Sequence, residues 1–340
     1  MKKALITGIN GQDGAYLAKL LLDKGYKVIG GDRRRSSMVE NERLKILGID
    51  KDLEIVDFDL SDSFNVSRVI GEGDFNEVYN LGAQSFVKSS FSNPFYTTDV
   101  NALGVLRLLE AIRSSSSTTR FYQASTSEMF GLVQEVPQNE GTPFYPRSPY
   151  GVSKLFSYWL VRNYRESFNL HASNGILFNH ESELRGLNFV TKKIVKKAVE
   201  IYRGSNEVLY VGNINSERDW GHAEDYVYGM YLMLQHPTPD DYVLSTGVTT
   251  SIREFINLVF SALDIELDWV GSDLDEKALN RRNGRVVVAV SSEYFRPAEV
   301  DLLVGDSSKA HKVLNWKPIL TLNDLIGRMI SFELESLEKK

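Results

Sequence analysis

The chain has no cysteine among its 340 residues. That excludes thiol nucleophiles, disulfides and thiolate metal sites. Histidine is scarce: the five present show no metal-ligand spacing, so no metal is expected. No apolar run reaches about 18 residues, and no signal-peptide pattern precedes the first apolar strand. The expected compartment is the cytoplasm. A net charge of −6 gives no reason to expect nucleic-acid or membrane binding. What is present suits a metabolic enzyme: 42% hydrophobic and 25% charged residues are enough for a large core and two lobes.

Lys3 to Thr7 reads as a strand that runs straight into Gly8-Ile-Asn-Gly-Gln-Asp-Gly14, followed by a helical pattern with Leu17, Leu20 and Leu21. Glycines in that context permit a tight turn and let the backbone approach a pyrophosphate at the helix N-terminus. The spacing is Gly-x-x-Gly-x-x-Gly, which resembles the short-chain dehydrogenase variant of the motif. A second strand, Lys27 to Gly31, ends in Asp32-Arg-Arg-Arg-Ser-Ser37. An acid there suits the ribose 2′-OH of NAD, whereas arginines suit the 2′-phosphate of NADP. The three consecutive arginines, Arg33, Arg34 and Arg35, with the serines after them favour NADP, Arg33 and Arg34 being the cofactor-binding candidates, and Asp32 keeps NAD open. A solvated basic loop is the plain alternative.

Near the middle lie Thr126 and Glu128, then Tyr150 and Lys154. A Tyr four residues before a Lys puts both side chains on one helix face. The ammonium is expected to lower the phenol's pKa and make Tyr150 a general base. Alone, such a pair is usually a surface feature. Glu128 is an acid or base that simple alcohol oxidation does not need, so the four together point to chemistry at a second carbon.

Apolar strands alternate with helical segments through the first half, including Leu53 to Val56, Val78 to Leu81, Arg120 to Ala124 and His171 to Phe178, with a helix from Asn101 to Arg113. This predicts an α/β, Rossmann-type, doubly wound parallel sheet. Residues 1–178 are read as the cofactor domain, with some later segments returning to it. Residues 179–340 are read as mainly a smaller mixed α/β substrate lobe, with strands at Val208 to Val211, Tyr242 to Ser245 and Val286 to Val290, and helices at Val190 to Arg203 and Ile252 to Leu263.

Several longer strings narrow the reading: Tyr79-Asn-Leu-Gly-Ala-Gln-Ser85, Tyr122-Gln-Ala-Ser-Thr-Ser-Glu128, Asn174-Gly-Ile-Leu-Phe-Asn-His-Glu-Ser182 and Arg218-Asp-Trp-Gly-His-Ala223. With them the chain resembles the extended short-chain dehydrogenases/reductases and, within that group, the GDP-mannose 4,6-dehydratase family. The resemblance covers nearly the whole length.

It implies that Gly8, Ile9, Asn10, Gly11, Gln12 and Asp13 wrap the cofactor pyrophosphate, and that Asp59 and Leu60 meet the adenine. Leu81, Gly82, Ala83, Gln84 and Ser85 would line the cofactor, with Ser85 also meeting the sugar. Tyr96, Lys154, His180 and Arg185 would complete the cofactor site. Asn179, Val190 and Lys193 would approach the nucleotide, Arg218 and Arg296 the diphosphate, and Glu299 the nucleoside. Structural alternatives stand beside these roles. Asp59 could simply cap a helix, and His180 could be a satisfied interior histidine. Lys192, Lys193, Lys196 and Lys197 could form a solvated face, and Arg218 could pair with Asp219 at the surface. Trp220 is read as packing.

The implied substrate is GDP-mannose. Tyr150 would take the 4-OH proton while the C4 hydride moves to the nicotinamide. Glu128 would remove the C5 proton, and water would leave C6 with a proton from Glu128, Thr126 or Ser127. The hydride would return to C6. Another nucleotide-sugar dehydratase, a 4-epimerase or a 4-ketoreductase is the alternative. Two departures from the family pattern stand out. Ser182-Glu-Leu-Arg-Gly186 replaces Ser-Pro-Arg-Arg-Gly, and the loop from Arg35 to Arg43 is altered. In relatives that loop reaches a neighbouring subunit, so a homodimer or a homotetramer is expected.

Overall fold

The computed structural model describes residues 1–33, 41–115, 118–295, 300 and 302–338. Six strands form the frame: β1 (Lys3–Thr7), β2 (Lys27–Asp32), β3 (Glu54–Asp57), β4 (Glu77–Asn80), β5 (Arg120–Thr126) and β6 (Ala172–Leu177). They lie in one parallel sheet with β1 between β2 and β4. Every residue of β4 and β6 is buried, as expected for parallel strands covered on both faces. Edge strand β3 is largely exposed, and its Glu54 and Asp57 discourage further pairing.

Helices cover both faces. The helix that follows β1 (α1, Gln12–Asp23) packs with helix Ala223–Gln235 on one side. Helices Ser63–Gly73, Gly104–Ser115 and Pro149–Phe168 pack on the other. The strand order reverses between β1 and β4, so a crevice opens at the carboxyl ends of those strands. This is the doubly wound α/β fold.

The strand expected at Tyr242 to Ser245 belongs elsewhere than the smaller lobe. It runs Asp241–Leu244 and pairs in parallel with β6, adding a seventh strand to the large sheet. Its alternation is too short to show which sheet it joins; the buried Arg165–Asp241 ion pair fixes it there. The expected strand from His171 to Phe178 also continues differently. After β6 the chain bends, and Asn179–Glu181 pairs with Trp220–His222. Two distant strings are thereby placed side by side.

A smaller four-stranded sheet (Leu209–Val211, Lys277–Asn280, Val286–Val290 and Leu267–Val270) packs with helices Val190–Tyr202, Ile252–Ser261 and Leu322–Glu338 around a second apolar core. The helix expected from Asn101 begins instead with a π-helical turn, Asp99–Leu103, before Gly104–Ser115. Such turns aim side chains that a regular helix cannot. Among the described residues no helix is long and apolar enough to cross a membrane. Nor does any group of three or more His, Asp or Glu there suit a metal ion.

Candidate active site

The turn after β1 forms a cradle. Gly8 has φ +69°, and a Cβ on it would lie 2.9 Å from the Gly82 nitrogen. A Cβ on Gly14 would lie 2.4 Å from the Gly8 oxygen. Only glycine lets β1, the turn and the loop after β4 approach so closely. Helix α1 starts here with no side-chain cap, so its first N–H groups face the crevice. Asn10 Oδ1 is buried in the same turn without a hydrogen-bond partner. An uncapped helix end over a glycine cradle fits the pyrophosphate of a dinucleotide. Thr7 braces it: its hydroxyl donates to Asn80 Oδ1 at 2.6 Å and accepts from the Leu81 and Gly82 nitrogens. The sequence offered no reason to single out this threonine.

β5 delivers Thr126, Ser127 and Glu128 to the same crevice. Thr126 Oγ1 accepts from the Glu128 nitrogen and so caps a single 3-10 turn. Helix Pro149–Phe168 is capped by Ser148 and opens with proline at its first position. Tyr150 and Lys154 therefore share one buried face. The Lys154 ammonium donates to the Ala124 carbonyl at 2.8 Å and lies 5.9 Å from the Tyr150 ring centre. Thr126, Ser127, Glu128, Tyr150 and Lys154 all line a cleft of about 790 Å³.

The expected lowering of the Tyr150 pKa is not what the geometry gives. Burial pushes the phenol up to about 12, and the charges of Glu128 and Asp13 add to that. The Thr126 hydroxyl and Arg185 oppose it. Burial also pushes Lys154 down to about 8, with Asp13 opposing. Burial disfavours both charged forms and outweighs the ammonium, which is turned towards a carbonyl rather than the phenol.

His180 joins the turn to the smaller lobe. Its Nε2 lies 2.9 Å from Asp13 Oδ2, its Nδ1 lies 2.8 Å from the Phe178 carbonyl, and its ring stacks on Tyr226. Burial would lower the His180 pKa, but Asp13 raises it overall. Burial would raise the Asp13 pKa, but His180, Gln12 and Arg185 bring it down to about 2. The two contributions to stability have opposite signs in pH. The part from Asp13 is present above its unfolded value and is lost as pH falls towards 2. The part from His180 is present below its unfolded value, about 6.5, and is lost as pH rises through the raised folded value. Their overlap runs from about pH 4 to about 6.5. Thermal unfolding of Asp13→Asn should therefore fall furthest below wild type near pH 5, by about 1–2 kcal/mol. The gap should narrow by pH 9. A gap that grows steadily with pH would contradict this pairing.

Arg185 pairs with Glu181 at 2.9 Å and lies against the Phe189 ring. Arg218 is buried and lines the cleft, while Asp219 turns away to accept from Thr246 and Gly247. The surface pair considered for them does not form. Lys192 is likewise not solvated: it is buried against Glu333 at 2.5 Å. Trp220 packs on Phe255. Glu183, one of the departures from the family pattern, accepts from Tyr16 at 2.6 Å and faces buried His222.

Gly8, Gly11, Gln12, Asp13, Leu81, Ala83 and Ser85 also line the cleft, as do Asn179, His180, Arg185, Val190 and Lys193. Other expected residues stand back from it. Ile9 is core, and Asn10 donates to Asp32 at 2.8 Å. Asp59 holds Ser61 in a local turn, and Leu60 is packed in the large core. Gly82 is held by Thr7, and Gln84 by Asn101. Tyr96 and Arg33 are hydrogen-bonded to each other in an exposed position. Arg34, Arg296 and Glu299 lie outside the described residues. Asn101, which the sequence did not single out, sits in the π-helical turn. It links Gln84 to Ser153 and accepts from Ser157, so it ties the loop after β4 to the helix of Tyr150. A polar residue on an otherwise apolar helical face was its only signal.

Comparison with known proteins adds the family. The family model described as GDP-mannose 4,6 dehydratase matches residues 5–329. A GDP-mannose 4,6-dehydratase of Sinorhizobium fredii is 51% identical over 99% of this chain and 97% of its own length. One from Vibrio cholerae is 51% identical over 99% of this chain and 95% of its own. Among solved structures, a UDP-glucose 4-epimerase with UDP-glucose from Thermotoga maritima superposes with a TM-score of 0.81 at 20% identity, covering 98% of this chain and 99% of that one. A dTDP-glucose 4,6-dehydratase from Bacillus anthracis in complex with NAD gives 0.80 at 19% identity, covering 99% and 98%. At that identity the structures show the fold alone.

Proposed function

The chain belongs to the GDP-mannose 4,6-dehydratase family, and we propose that the cleft around Glu128 and Tyr150 is where it performs that family's reaction. The activity is that of a hydro-lyase: GDP-D-mannose loses water to give GDP-4-keto-6-deoxy-D-mannose. The observation that carries the site assignment is the meeting of Tyr150, Lys154, Thr126 and Glu128 beside the glycine cradle in one cleft.

A bound nicotinamide supplies a hydride acceptor for C4 and a hydride donor for C6. The chain supplies the proton chemistry. Tyr150, hydrogen-bonded with Thr126, takes the 4-OH proton. Glu128, on the other side of the same turn, removes the C5 proton that the 4-ketone has acidified. Glu128 returns a proton to the departing C6 hydroxyl, with Thr126 and Ser127 within the same turn, and when the hydride reaches C6 a proton is delivered to C5, equivalent to the one Tyr150 took from the 4-OH, which resets both groups. Lys154 would hold the ribose side of the cofactor. Asn179, Val190, Lys193 and Arg218 hold the nucleotide. A sugar carrying deuterium at C4 should give product with that deuterium in its C6 methyl group. Deuterium found in solvent or in free cofactor instead would refute the closed hydride cycle.

A nicotinamide cofactor follows from the family, and we favour NADP over NAD. Asn10 already engages the Asp32 carboxylate, and Arg33 stands at the end of β2 with Tyr96 against it. Tighter binding of NAD than of NADP would reverse this choice. We also assign residues 1–178 to the cofactor and 179–340 mainly to the nucleotide sugar, with Asp241–Leu244 returning to the large sheet.

A homodimer in the cytoplasm completes the reading. Helix Pro149–Phe168 buries Tyr150, Lys154 and Tyr158 yet exposes Val152, Phe156 and Trp159 at helical spacing on another face. A second copy of the chain would cover that stripe. Sedimentation of Trp159→Glu at the dimer mass would argue against this face. The loop that would extend a dimer to a tetramer falls largely in residues 34–40, outside the described residues.

A further inference from the structure

Two residues that line the cleft, Lys88 and Tyr294, have none of the roles above. Strands Leu209–Val211 and Val286–Val290 run parallel, and the chain then turns through Ser292–Tyr294. Tyr294 stands half-exposed at the lip and lines the cleft. From the smaller lobe, the Lys193 ammonium sits 3.4 Å from the Tyr294 ring centre and donates to the Tyr210 carbonyl at 2.6 Å. From the other side comes Lys88, on helix Val87–Ser92 that follows the loop after β4. Its ammonium donates to the Glu293 carbonyl at 2.7 Å and lies 6.0 Å from the same ring. Two cations from the two halves of the molecule thus converge on one tyrosine.

Two ammonium groups at one rim repel each other; Glu293 offsets part of that charge, and an anion entering the cleft would offset more of it. Burial lowers the Lys193 pKa, the charges of Lys197 and Lys88 push the same way, and Glu293 opposes. Arg218 lines the same cleft. A lysine serves well as a point charge for phosphate. We propose that Lys88 is a substrate-binding residue that, with Lys193 and Tyr294, closes over the diphosphate of the nucleotide sugar from the large-sheet side. The proposal rests on the placement of the nucleotide at this end of the cleft. It concerns the diphosphate and not the base.

The test uses the full chain with NADP bound and GDP as the probe. Lys88→Gln keeps a donor for the Glu293 carbonyl but removes the charge. It should weaken GDP binding about 10-fold. The salt dependence of GDP binding should become shallower than in wild type. Lys88→Arg should bind within about threefold of wild type, since it restores the charge. NADP affinity should be the same in all three proteins. Wild-type GDP affinity in Lys88→Gln would overturn the proposal. So would equal loss in the Gln and Arg variants, which would mean that Lys88 only props the Tyr294 segment. Wild type is also titrated with UDP. Preference for UDP would overturn the GDP-mannose reading alone, and the Lys88 comparison made with UDP would then decide the clasp.

Discussion

Glu128→Gln should bind cofactor and GDP-mannose as wild type does and lose dehydration by about 100- to 10,000-fold, the range for removing a general acid–base group. The substitution is isosteric and keeps the backbone of the capped turn, since the Thr126–Glu128 hydrogen bond uses the main-chain nitrogen. What disappears is the only carboxylate that the β5 end brings beside Tyr150 and Thr126 among the described cleft residues. In the proposed mechanism oxidation at C4 needs Tyr150 and not Glu128, so it should survive. The variant should therefore accumulate a reduced-nicotinamide signal with bound sugar and release no dehydrated product. Turnover within about tenfold of wild type would remove Glu128 from the C5 step.

Tyr150→Phe should fail earlier, by a loss of similar size, and with a different signature. No reduced-nicotinamide signal should appear, because the 4-OH proton has no acceptor. The phenol is buried and sits at about 12 in the chain by itself. In the proposed mechanism the ionised phenol takes the proton, so kcat/KM of wild type should fall as pH falls. Tyr150→Phe should lack that limb. The two variants thus separate the first step from the second in one readout. A reduced signal in Tyr150→Phe matching that of Glu128→Gln would show that the base at O4 is another group.

Much of this was legible because the signals are local. The cradle depends on glycines at fixed spacing between a strand and a helix, and turn chemistry is written in adjacent residues. Tyr150 and Lys154 are one helical turn apart, a relation that spacing alone dictates. The large sheet was legible from its apolar strands. Properties set by distant neighbours were hidden. The raised Tyr150 phenol reflects burial, which no spacing reports. Lys192 read as solvated because Glu333, its buried partner, is remote in sequence. Asp241–Leu244 joined the large sheet because Arg165 holds Asp241, another long-range contact. Asn101 was hidden by a π-helical turn that shifts it relative to a regular helix. Lys88 and Tyr294 meet only through the closure of the two halves. Arg34, Arg296 and Glu299 keep their sequence-based roles as proposals.

The most direct measurement is the mass of the nucleotide sugar after incubation of GDP-D-mannose with the full chain and a trace of NADP. Loss of one water from GDP-mannose is expected, with cofactor redox state unchanged at completion. Unchanged mass, or reduction of the cofactor in step with product, would contradict it.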